Sequence, residues 1–235
     1  MGLFDFFKRK EDKKGELTTT ETVTDIDGNL YTTVKIGQQL WTVEDLRTTK
    51  LNDGTPIKYT EDVFDWIGMS SPAYCYYDNN PASGIKFGAL YNWYAVETGK
   101  LAPKGWHVPT NEDWEKLENY LIEHGFNWDG SRKGNKIGKA LASNTIWAED
   151  DGEGTVGNRS MKNNRSGFTA LPGGCRNDLG TYYDQGYYEY WWTATETDEN
   201  NAHRYYLGFN HSNLAFSRYY KQYGFAVRVI MNKFV

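Results

Sequence analysis

From Phe168 onward the chain carries no helical period, and this constrains its fold more than any other feature. The stretch opens with GFTALPGGCRNDLG at Gly167 and closes with GFAVRVI at Gly224. Between these phrases lies a run of strand-like and loop-like text with ten of the chain's 18 tyrosines, interleaved with Asn, Asp, Ser and His. Two readings fit. Tyrosine collects on half-exposed strands. It also supplies stiff, amphipathic contact area at low entropic cost, with Asn and Ser as adaptable hydrogen-bonding partners, a mixture that recognition surfaces use.

Upstream, alternation around Asp27-Gly28 in TVTDIDGNLYTTVKIGQQLWT predicts a hairpin, with a second turn at Gly37-Gln38. Residues 57–86 read as a long irregular stretch, and FGALYNWYAV (87–96) as a buried strand or short helix. One helix is written clearly over 111–124. Thr110 stands at the N-cap and Asp113 three positions on, Trp114, Leu117 and Leu121 share a face, and Gly125 closes it. KIGKALAS (136–143) predicts a second, shorter helix, and 150–164 an exposed loop. A hairpin, two helices and a long strand-and-loop region ending on GFAVRVI predict an α+β fold in which the first and last strands pair. Apolar residues make up 39% of the chain, but nine are Trp and eleven Phe, so an aromatic core is expected.

Several function classes are disfavoured. Net charge is -5 and the body of the chain holds no basic stripe, which argues against a nucleic-acid partner. No apolar run is long enough to span a bilayer. Residues 1–22 read as an amphipathic, basic tail and linker, and 23–235 as the domain. Leu3, Phe4, Phe6 and Phe7, followed by lysines, make that tail a candidate for docking on a partner or a membrane surface. It does not read as a secretory leader, because its apolar part is short and Asp5 interrupts it. A cytoplasmic location is therefore expected, with a virion or cell surface reached by a non-classical route as the alternative. Cys75 and Cys175 have no zinc-like spacing and read as two free thiols rather than a disulfide.

No nucleophile elbow and no HExxH motif occurs. His107 reads as a structural donor at the start of the helix, and His124 as a partner of the helix's last carbonyls. Asp150, Asp151 and Glu153 could hold a hard cation, but a solvated acidic loop is the favoured reading. Of Trp191 and Trp192, one should be core and the other could floor a ligand patch. Arg228 reads as structural, Arg204 and Arg218 as surface contacts.

The phrases TVTDIDGNLYTTVKIGQQLW, LNDGTPI, GALYNWYAV, APKGWHVPTNEDWEKLENYL, GKALAS, GFTALPGGCRN, YWWTATE and GFAVRV occur in an order that resembles the Fibrobacter succinogenes major paralogous domain family, over about residues 23–231. The resemblance implies a bacterial or phage source and a C-type lectin-like fold with two helices, small antiparallel sheets and a long loop-rich region. That fold is also similar to formylglycine-generating enzymes. An oxidase of that kind is a remote alternative, since neither cysteine sits in its motif. The calcium-binding Glu-Pro-Asn, Gln-Pro-Asp and Trp-Asn-Asp motifs of sugar-binding lectins are missing, so calcium-independent binding is expected and no cofactor. Relatives often carry one cysteine before the GWHVP phrase and one in the last strand. Here those positions are Ala102 and Val229, so the implied disulfide is lost as a pair, in keeping with a reducing compartment.

The same fold serves variable proteins of diversity-generating retroelements, whose C-terminal codons are rewritten at adenines. The resemblance thus implies a non-enzymatic binding protein, possible target of such diversification. Its displayed residues would be Asn177, Tyr182, Tyr183, Asp184, Tyr187, Tyr188, Asn200, His203, Tyr206, Asn210, His211 and Asn213, on a surface over 177–223 that takes a protein ligand. The alternative is a structural or adaptor protein docked through its N-terminal tail.

Overall fold

The computed structural model describes residues 21–232, so most of the expected tail lies outside the described residues. The first hairpin forms as its turn chemistry predicts. Strand Thr22–Thr24 pairs antiparallel with Leu30–Ile36. The Asp25 carboxylate organises the turn by accepting the backbone N–H of Asp27 and of Asn29, both at 2.9 Å, and the Tyr31 hydroxyl at 2.6 Å. Leu30–Ile36 then pairs with Gln39–Thr42 across the tight turn at Gly37.

The C-terminal strand departs from expectation in its partners and its length. Only Ile230–Met231 is a ladder strand, and it lies between Gln39–Thr42 and Trp106–His107 rather than against the first strand. The preceding residues change partner repeatedly. Gly224 and Arg176 exchange backbone bonds of 2.7 and 3.0 Å, and Phe225 and Tyr91 bonds of 3.0 and 2.9 Å. Ala226 N–H donates to Tyr190 O at 3.1 Å, and Leu46 N–H to Val227 O at 2.8 Å. This segment is a seam joining four parts of the chain.

The fold is mixed α and β, mostly β, with several small sheets. Five α-helices form among the described residues where two were expected. The long one, Asn111–Glu123, has both halves of the predicted capping box between Thr110 and Asp113. The shorter predicted one is a single turn, Gly138–Leu141. The other three are Val63–Trp66 and Pro81–Phe87, which were unforeseen, and Trp93–Glu97, within the stretch read as a strand or short helix. Each starts at an acceptor side chain (Asp62, Asn80 or Asn92) that takes a backbone N–H of the first turn. They are too short to display a 3.6-residue period, which is why 57–86 read as irregular and 87–96 as either a strand or a short helix. One short pairing, Lys58–Tyr59 with Ala73–Cys75, is parallel.

Two aromatic cores flank the strand Tyr188–Glu196. Trp192 belongs to the first, with Tyr91, Trp93, Phe225, Val227 and Val229; its ring centroid lies 4.5 Å from that of Phe225. Trp191 belongs to the second, where Trp114 stands 4.9 Å from Trp41 and 5.0 Å from Tyr205. Adjacent strand residues do point to opposite faces, but here both faces are interior. Neither tryptophan floors a surface patch, since both are fully buried. A buried ion pair spans the molecule: Arg228 Nε donates to Asp45 Oδ1 at 2.9 Å and one Nη to Oδ2 at 3.2 Å. Its other Nη donates to Phe168 O at 2.6 Å, so Arg228 is structural as expected.

Candidate binding surface

The antiparallel sheet of Tyr188–Glu196, Asn201–Gly208 and Ala215–Tyr220 carries Tyr188, His203 and Tyr206 of the predicted display residues, and the turns at its ends carry others. Its register puts Tyr188 opposite Gly208, Tyr190 opposite Tyr206, and Tyr206 opposite Ala215. With period-two alternation, Tyr188, Tyr190, Arg204, Tyr206 and Tyr219 share one face. Gly208 matters for shape: a Cβ there would sit 2.5 Å from the Tyr188 ring, so only glycine lets that ring lie flat across the strand pair.

At the outer end of this face six predicted residues converge. Tyr188 donates its hydroxyl to Asn210 Oδ1 at 3.1 Å and lies parallel to Tyr190, centroids 5.8 Å apart. His211 sits 5.9 Å from Tyr188 and 6.0 Å from Tyr206. Tyr187, half exposed, packs edge-on against Phe209. Asp184, held at φ 69, accepts the Tyr190 hydroxyl at 2.7 Å, and its carbonyl accepts the N–H groups of Tyr187 and Tyr188. Tyr183 is exposed beside it. The 150–164 loop supports the turn from behind, through Val156 N–H to His211 O at 2.9 Å and Gly157 N–H to Phe209 O at 2.7 Å.

Arg204 lies beneath this array and corrects its reading as a surface contact. It is buried, with its guanidinium 3.7 Å from the Tyr219 centroid, 4.2 Å from Tyr190 and 4.8 Å from Phe225. Its one hydrogen bond among the described residues runs from Nε to Ser217 Oγ at 3.1 Å. Burial lowers its pKa, and the rings replace water as its partner. In the sequence Ala202, Arg204 and Tyr206 alternate with His203, Tyr205 and Leu207, but nothing local told that both faces are covered. Arg218 is exposed, as expected.

The remaining predicted residues lie apart. Asn177 is buried; its Oδ1 accepts Leu179 N–H at 3.1 Å and Thr181 N–H at 2.7 Å, which makes it a turn residue rather than a displayed one. Tyr182 is tied down by its hydroxyl to Asn79 Oδ1 at 2.6 Å and packs on Tyr77. Asn200 lines a separate cleft of about 380 Å³ with Asp178, Leu179, Tyr220 and Gln222. His203 is on the opposite face of the sheet, against Phe216 at 4.7 Å and Asn111 Nδ2 at 2.9 Å. Asn213 stands near Leu214 and the helix-side Asn135, which accepts Leu214 N–H. A contiguous surface is therefore smaller than the span 177–223.

Both cysteines are free and buried. Burial pushes the Cys75 thiol up to about 11 and that of Cys175 up to about 12. Groups of three or more His, Cys, Asp or Glu side chains poised for a metal are absent among the described residues. No helix among them is long and apolar enough to cross a membrane.

The profile of the Fibrobacter succinogenes major domain matches residues 34–231. The chain belongs to this family. No curated protein and no solved structure matches it. In this Fibrobacter succinogenes major domain the matched span runs from the end of strand Leu30–Ile36 to the strand Ile230–Met231, and so contains the second core, the first core apart from Val23 and Tyr31, and the tyrosine face. Ala102 and Val229, where the implied disulfide would stand, are both buried in the first core.

Proposed function

We propose that the protein is a non-enzymatic binding module of C-type lectin-like type, and that its ligand is another protein, held without calcium. The observation that carries this reading is the convergence of Asp184, Tyr187, Tyr188, Tyr206, Asn210 and His211 on one rigid end of a sheet. Stiff aromatic rings with a hydrogen-bonding rim are what a protein partner meets in tyrosine-rich paratopes. The buried Arg204 beneath them holds Tyr206 directly and Tyr190, on which Tyr188 stacks, so less ordering is left for the moment of binding. High thiol pKa values support the absence of cysteine chemistry, and the free thiols support a reducing compartment. Retroelement diversification is part of the same proposal, now confined to codons of the converging residues and of Tyr183.

A pulldown with the full chain tests it. Proteins retained by the wild type should be lost when Tyr187, Tyr188, Asn210 and His211 are all changed to Ala, and kept when residues 1–16 are removed. The reverse pattern would assign binding to the tail and defeat the proposal. For diversification, the neighbouring DNA should hold a second copy of these codons that differs only at adenines.

A further inference from the structure

A second concave site is formed by residues that the tyrosine face does not use. A cavity of about 300 Å³ lies between the end of the long helix, the turn Gly138–Leu141 and the 150–165 loop. Four cations line it: Lys139, Arg159, Lys162 and Arg165. Glu153 is the one carboxylate in the lining. In a chain of net charge -5 this is a local reversal of sign.

The cations are not neutralised by their neighbours. None of the salt bridges among the described residues involves any of the four. Arg165 reaches Gly125 O from both Nη atoms only at 3.4 Å and lies over the Phe126 ring at 5.3 Å. Lys139 is 8% exposed, and its ammonium donates to the Thr155 and Asn158 carbonyls. An ammonium has three N–H donors, so one remains. Burial and then the Lys162 charge lower the Lys139 pKa to about 8. Crowding like charges at a partly desolvated site is unfavourable unless an anion offsets it.

The walls are built and fixed. Trp128 presses on the backbone of Gly154 (φ +80), where a Cβ would come within 2.2 Å of the indole. Arg159 is held in the left-handed region at φ 49, an uncommon conformation for a side-chain-bearing residue. The volume is at the lower end for small-molecule sites. Cations spread around a cavity suit the several oxygens of a tetrahedral anion better than one planar carboxylate. Phe126 and Trp128 supply the aromatic part of the lining, against which a carbon body can pack.

We propose that this cavity binds a compact organic oxyanion, a phosphate or sulfate ester with a flat apolar group. The site is independent of the protein-binding reading and can fail without it.

Calorimetry on the full chain at low salt, with phenyl phosphate, phenyl sulfate and benzoate as probes, tests the proposal. One saturable site is expected for at least one ester, with benzoate weaker. The arms with the two esters distinguish phosphate from sulfate recognition. Lys162→Ala/Arg165→Ala should weaken the ester by about tenfold or more, while Lys58→Ala, remote and exposed, should leave it unchanged. Both cations changed are exposed, so the thermal midpoint should hold; if the double variant fails to fold, Arg159→Ala carries the same comparison. No saturable binding of either ester, benzoate binding as tightly, or equal affinity in the cavity variants would each overturn it.

Discussion

Glu189 is fully buried between two cores, with Oε2 accepting the Gly173 N–H and Oε1 without a partner. Burial first, and the Asp45 charge second, raise its pKa well above the ordinary range, so it is held neutral. In the unfolded chain it would ionise above about pH 4.3. The folded state therefore binds the extra proton above that pH, and stability falls as pH rises toward the folded pKa. Glu189→Gln keeps an acceptor for Gly173 without the titration. Its stability relative to wild type, from urea unfolding, should rise as the pH increases above about 4.3, by at most about 1.4 kcal/mol per pH unit. A difference independent of pH would refute the assignment. At this scale the sequence was uneven. Arg228 read correctly as structural because it sits in an apolar strand phrase, whereas Glu189 and Arg204 gave no warning, since an isolated charge in an aromatic run looks like a solvated one.

Among the elements, the long helix was the most legible, because its caps are local chemistry. Thr110 Oγ1 donates to Asp113 Oδ2 at 2.7 Å, and the same carboxylate meets His107 Nε2 at 3.1 Å, tying the helix start to the strand Trp106–His107. Burial opposes ionisation of Asp113, yet the bonds from His107 and Thr110 bring its pKa down to about 2. The bond from Asp113 raises the pKa of His107, against the effect of burial. The ion pair thus contributes above the unfolded Asp value near 3.9 and below the His value near 6.5, and fades as His107 deprotonates at higher pH. Asp113→Asn should therefore cost more stability at about pH 5.5 than at about pH 8.5, and Thr110→Ala about 1 kcal/mol at either. Denaturant midpoints at the two pH values check both. The short helices at 63–87 escaped notice, and the one at 93–97 stayed open between strand and helix, for the opposite reason: Trp66, Trp93 and Val96 are held by packing rather than by any period.

The whole molecule stands without a covalent staple. Ala102 and Val229 fill the first core, and both cysteines are free. Unfolding of the wild type should be indifferent to reductant. Ala102→Cys/Val229→Cys should add reductant-sensitive stability of about 2–4 kcal/mol when oxidised, read as a shift in thermal midpoint with and without dithiothreitol. The mixed α and β character was legible in the hairpin and helix signals, and the family in its ordered phrases. The tyrosine face was legible only in part. Composition marked the third of the chain that carries it, but strand register and double-sided burial decide which tyrosines meet solvent, and both are properties of long-range pairing.

The seam from Gly224 to Met231 bears on how the protein is made. It supplies backbone partners to Leu46, Tyr91, Arg176, Tyr190 and Trp41, positions spread over most of the chain. A ribosome delivers these eight residues after everything they join (224–231). Until they leave the exit tunnel, neither core can close, and the earlier hairpins wait with open edges. Closure of both cores thus follows delivery of this seam, and a chaperone that shields Trp41 and Trp191 until then would act on the open state.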